Sequence, residues 1–103
     1  MTEEQVKASL IDQLTAKGMT SAFYLDKVDE YMTYWRTMNL LKEDIDRRGV
    51  RIVQRSGNGF EKEMFNESVR EMPKLTAAML NILKTLGLQE PVEKEVTDGS
   101  DYL

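Results

Sequence analysis

The sequence contains no cysteine and no histidine. Zinc knuckles, thiol nucleophiles, Ser/His relays and haem ligation through these side chains are thereby excluded. The lack of disulfides fits a reducing compartment. No apolar run approaches the ~20 residues that a membrane helix needs. The opening MTEEQVKASL is acidic and amphipathic, unlike the basic-then-apolar pattern of a secretory signal. The expectation is a soluble, cytosolic protein with no membrane partner.

Catalytic groupings are also missing. Asp44 and Asp46 are two residues apart on a helical stretch, so they point in different directions and make a poor metal pair. The stretch SGNG, residues 56–59, contains Gly-x-Gly, but no Lys-Ser/Thr follows and no helix opens directly behind it. There is no Gly-x-Ser-x-Gly and no paired carboxylate beside a plausible base. We therefore expect no enzyme, no cofactor and no metal.

What is present is a small domain with an uneven charge. The 103 residues suffice for one domain with a modest core, and association of copies is a natural way to bury more apolar surface. Residues 1–46 carry five basic and nine acidic side chains; residues 47–88 carry eight and four; residues 89–103 carry one and five. A basic middle thus lies between acidic ends. Overall acidity disfavours indiscriminate nucleic-acid binding, whereas a local positive region allows a focused polyanion contact.

Periodicity predicts the elements. A first helix runs from about Glu3 to Lys17, with Val6, Leu10, Ile11 and Leu14 on one side. Thr2 and Gln5 form a candidate capping box, and Gly18 is a stop. A second helix runs from Ser21 to Arg48, capped by Thr20 or Ser21 and ended by Gly49. Its stripe is Tyr24, Val28, Tyr31, Trp35, Met38, Leu41 and Ile45, flanked by Leu25, Met32 and Leu40. At ~1.5 Å per residue such a helix is ~40 Å long, more than a small monomer needs. It serves either as a core helix or as one that also meets another subunit.

From Val50 to Met64 the period shortens. VRIVQ and FEKEM read as strands around the SGNG turn. A turn on Asn58-Gly59 sets Val53 opposite Met64 and Arg55 opposite Lys62; a turn on Gly57-Asn58 shifts those pairs. Either way Arg51, Val53 and Arg55 share a face. A lone hairpin is marginal, so it must lean on helices or on another copy's hairpin. The last helix starts at the N-cap Asn66 and ends at Gly87. Its stripe is Met72, Leu75, Met79, Ile82 and Leu86, and Pro73 should kink it or split off a first turn. The fold class is therefore mainly α: three helices, with a hairpin between the second and third, in an oligomer. Residues 1–88 make the helical oligomerisation and recognition domain. Residues 89–103 make a flexible acidic tail, with Tyr102 and Leu103 as candidate partner anchors.

The basic residues Arg47, Arg48, Arg51, Arg55 and Lys62 are the candidate contacts to a phosphate polyanion. Arginine's planar fork suits phosphate oxygens, and such contacts give salt-sensitive binding with little sequence reading. The plain alternative is that they favour a helix C-terminus and block strand-edge pairing.

Gly49, Asn66 and Val69, the stripe Leu75, Met79 and Leu83, and Leu86-Gly87-Leu88 occur together in an order and spacing that resemble the small subunit of phage terminase. The resemblance spans nearly the whole chain in organisation. Glu67 stands where that family usually has proline, Gln89-Glu90-Pro91 replaces its Thr-Pro, and Pro73 falls within a helix that is ordinarily continuous. Membership implies a non-catalytic component of a genome-packaging motor, working in the bacterial host cytoplasm. It implies a ring of copies that binds double-stranded phage DNA and presents it to the large ATPase and nuclease subunit. Two alternatives stay open: a helical oligomeric interaction protein with no nucleic-acid role, and a small transcriptional regulator. The latter is disfavoured because the helix after the Lys17–Ser21 turn lacks a polar base-reading face.

Overall fold

A computed structural model of the chain describes residues 1–91. Tyr102 and Leu103, and most of the expected tail, lie outside the described residues. Helix α1 spans Glu3–Ala16 and α2 Ala22–Arg48; β1 spans Arg51–Arg55 and β2 Glu61–Phe65; α3 spans Glu67–Leu86. The expected order of three helices and an intervening hairpin is the observed one.

The first helix is started by a reciprocal cap. Thr2 Oγ1 accepts from the Gln5 amide at 3.2 Å, and Gln5 Oε1 accepts from the Thr2 amide at 2.8 Å. Ser21 precedes α2, but its side chain makes no capping bond. Both α1 and α3 run antiparallel to α2. Glu3 reaches Arg36 and Lys7 pairs with Asp29 at 3.4 Å, while Ser68 near the start of α3 meets Asp44 near the end of α2.

Unequal helix lengths shape the molecule. With 14 residues against 27, α1 covers only the first half of α2. There the core forms from Val6, Leu10 and Leu14 of α1, Val28, Tyr31 and Met32 of α2, and Ile82, Leu83, Leu86 and Leu88. Tyr24, Trp35 and Met79 pack on its margin. Beyond Arg36 the two longer helices continue as a pair, with Met38 buried, Leu75 half-buried and Leu40 63% exposed. The predicted stripes therefore go mostly into the protomer's own core. The radius of gyration is 19.1 Å, against ~13 Å for a compact domain of about this length.

The base of the molecule is closed by polar contacts from α1. Lys17 Nζ donates to the carbonyls of Leu86 at 3.3 Å and Gly87 at 2.5 Å, groups left without amide partners at a helix end. Gln13 Oε1 accepts from the Gln89 amide at 2.7 Å, and Gln13 Nε2 donates back to the Gln89 carbonyl at 3.1 Å.

One local expectation is corrected. The hairpin register pairs Arg51 with Phe65, Ile52 with Met64, Val53 with Glu63, Gln54 with Lys62 and Arg55 with Glu61. Val53 therefore does not face Met64, and Arg55 does not face Lys62. The cause is a three-residue loop. Ser56 donates its amide to Phe60 at 2.9 Å, the Gly59 amide donates to Ser56 at 3.0 Å, and Gly59 takes φ 79°. That left-handed residue closes the loop at little cost only as glycine. Of the two courses expected at Pro73, the split is not taken: α3 is continuous from Glu67 to Leu86. Pro73 lies on the solvent side, where water can satisfy the Val69 carbonyl that loses its amide donor.

Candidate nucleic-acid interface

The hairpin stands at the far end of the α2–α3 pair, and its orientation is set by one joint. Gly49, at φ 82° and ψ 177°, turns the chain out of α2 through a conformation nearly restricted to glycine. Asn66 then ties the returning chain to the departing one. It is 0% exposed. Its amide donates to the Val50 carbonyl at 2.7 Å and its Nδ2 to the Gly49 carbonyl at 2.8 Å. Its Oδ1 accepts from the Ser68 amide at 3.0 Å, capping α3, and from Arg48 Nη2 at 3.3 Å.

Asp44 completes the joint. Arg48 presents a two-point fork to it, Nε to Oδ1 at 2.7 Å and Nη2 to Oδ2 at 2.9 Å, and Ser68 Oγ donates at 2.6 Å. These bonds, Arg48's first and Ser68's second, hold the Asp44 carboxyl well below the usual carboxylate range, against a smaller desolvation effect. The same bond raises the pKa of the Arg48 guanidinium. Arg48 is thus committed to fixing the hairpin.

The other candidate contacts are distributed over the surface. Arg47, with a side chain 76% exposed, lies 3.4 Å from Asp44 at the helix end. On one face of the hairpin Arg51 stands 3.7 Å from Glu63, and Arg55, with a side chain 79% exposed, 3.3 Å from Glu61. Exposed pairs of this kind hold their partners weakly, so the guanidinium heads stay accessible. Lys62, opposite Gln54, is on the other face. The structure therefore puts Arg51 and Arg55 on one face of the hairpin, leaves Arg47 at the end of α2 against Asp44, and sets Lys62 on the opposite face. Sequence reasoning missed the joint partners Asp44 and Ser68. It also missed that glutamates from β2 interleave with the β1 arginines, because that follows from the register.

A groove of about 440 Å³ runs between α2 and α3, lined by Tyr31, Trp35, Met38, Met79 and Leu83, with Lys42 and Glu90 at its rim. Burial, and to a smaller degree Glu90, raise the Tyr31 pKa. Nothing in that lining forms a nucleophile–base pair. Among the described residues no cluster of carboxylates suits a metal ion, and no helix is long and apolar enough to cross a membrane.

No curated protein and no solved structure matches the chain. A family model described as phage terminase, small subunit, matches residues 8–99, which takes in all three helices but for the first turns of α1, and the whole hairpin. With that span matched and the predicted element order observed, the chain belongs to the phage terminase small subunit family, generally non-catalytic components of DNA packaging.

Proposed function

We propose that this protein assembles into a ring, binds double-stranded phage DNA and delivers it to the large ATPase and nuclease subunit. The observation that carries the DNA part is the placement of Arg47, Arg51 and Arg55 at the projecting end of an otherwise acidic molecule, their side chains exposed. Lys62 adds charge on the opposite face, and Arg48 acts through the joint. Repeated around a ring, these groups form a belt suited to a phosphate backbone, with affinity dominated by charge. Assembly is supported by the elongated shape and by Leu40 and Leu80, which stay exposed on the long helices. Residues 1–88 serve assembly and DNA recognition. Residues 89–103, acidic and so repelled by DNA, engage the large subunit, with Tyr102 and Leu103 as anchors.

Titration of duplex DNA at two salt concentrations tests the belt. Each phosphate contact contributes about 0.9 to the slope of log affinity against log salt. Arg51→Gln with Arg55→Gln should therefore lower the slope by roughly 2. Unchanged affinity and slope would remove the hairpin from the contact. Deleting residues 89–103 should abolish recruitment of the large subunit and spare assembly; equal loss of both refutes the tail's role.

A further inference from the structure

The groove between α2 and α3 is where the described chain ends. Helix α1 stops covering α2 near Arg36, and the space beyond is walled by Trp35, Met38 and Met79, with Val6 and Met1 closing one side. The chain that follows α3 is led to this space step by step. Leu88 is buried in the core, its amide bonded to the Leu83 carbonyl at 2.8 Å. Gln89 is clasped by Gln13. Glu90 and Pro91 then lie in the groove wall itself. Residues 92–103 therefore start at the groove, and twelve residues span up to ~40 Å. The wall on α2, from Tyr31 to Lys42, covers ~16 Å. All of it lies within reach.

We propose that residues 92–103 fold back into the groove of their own chain, Tyr102 and Leu103 packing on Trp35, Met38 and Met79, and so hold the tail in store until the large subunit draws it out. The storage role rests on the tail assignment proposed above; the docking does not. Chemistry matches wall to occupant. The tail's apolar side chains are Val92, Val96, Tyr102 and Leu103, and the wall offers an aromatic ring and soft thioethers that repack around what they cover. The tail's charged residues are Glu93, Glu95, Asp98 and Asp101 against one lysine. Lys42 on the groove rim makes no ion pair among the described residues. Lys84 flanks the adjoining cleft beside Leu80 and Leu88. These two cations outnumber the one acid of the groove wall, Glu90. A segment joined to its site by a few residues meets it at a local concentration in the millimolar range, so even a weak contact fills. A neighbouring helix or a free partner has no such advantage. Because the same Tyr102 and Leu103 anchor the large-subunit contact, the groove and that partner exclude one another.

Trp35 is the chain's one tryptophan and reports on the groove directly. Deleting residues 92–103 should shift its emission to the red and speed its quenching by acrylamide, with helical content unchanged. Lys42→Glu, on an exposed side chain outside the core, should do the same in part, and less so at high salt. Unchanged emission and quenching in the deleted chain overturns the proposal. A mixture separates a chain's own groove from its neighbour's: a Trp35→Phe chain that keeps the tail is refolded jointly with a tail-deleted chain that keeps Trp35. Trp35 should stay exposed there. Shielding that returns in the mixture means that the tail crosses to another copy, and overturns docking in its own chain. If about one chain in ten is undocked, apparent affinity for the large subunit is lowered about tenfold, so Lys42→Glu should tighten it toward that limit. Exposed Trp35 with unchanged affinity overturns the storage role. A tail deletion that leaves recruitment intact removes the tail from the large-subunit contact, whereas Trp35 still decides the docking.

Discussion

The two ends of this molecule hold together by different physics. At the base three helices meet, and Leu10, Leu14 and Val28 are each 1% exposed. Within the hairpin, residues 51–65, only Ile52 and Met64 are half-buried and Phe60 is 74% exposed; order comes from the buried Asn66, from Asp44 and from a few ion pairs. Burial is non-directional and tolerant of detail, whereas a polar joint fails when one partner is removed. The base is thus built to be stable alone. The tip is held in its orientation by the joint of Asn66, Asp44, Arg48 and Ser68.

That contrast yields graded expectations. Leu10→Ala should cost about 3 kcal/mol in urea unfolding, since it leaves a cavity among three helices. A cost below about 1 kcal/mol would mean the base is loosely packed. Asn66→Ala should cost about 2 kcal/mol, because it strips buried partners from the Gly49 carbonyl and the Ser68 amide. Hydrogen exchange should then speed up in the hairpin while the base stays protected; a uniform loss would show that the joint supports the whole fold.

Asp44 gives the joint a pH signature. Its folded pKa lies below the unfolded one, so its contribution is fully present above the unfolded value and is lost as pH falls. The stability gap between the parent and Asp44→Asn should be flat above about pH 5 and shrink steadily on acidification. A gap independent of pH would mean that Asp44 acts by shape and not by charge. The smallest change is expected at the tip: Val53→Ala should shift unfolding by less than about 0.5 kcal/mol.

Much of this plan is legible in the sequence because helices declare themselves by spacing. The stripe from Tyr24 to Met38, the Thr2–Gln5 cap and the Asn66 cap all rest on residues a few positions apart. The hairpin was equally visible in SGNG, but its register was not. A two-residue and a three-residue loop share the same letters, and one residue's slip exchanges Lys62 for Glu61 opposite Arg55. That slip matters for the site, since it turns a run of like charge into an alternating ladder. Arg48 shows the other limit. Its two partners lie four residues before and eighteen residues after it, and only the closed hairpin brings the second within reach. The same holds for Lys17 and Gln13, whose partners lie about seventy residues away, beyond any local pattern.

The clasp between Gln13 and Gln89 has a mechanical consequence. A force applied to the chain past Gln89 meets that pair of hydrogen bonds before it reaches α3, and passes sideways into α1. Tension at that point therefore loads the clasp and the packing of α1 on α2 at the base, at the opposite end of the molecule from the hairpin. A pull on one end of the protein need not change where the other end aims.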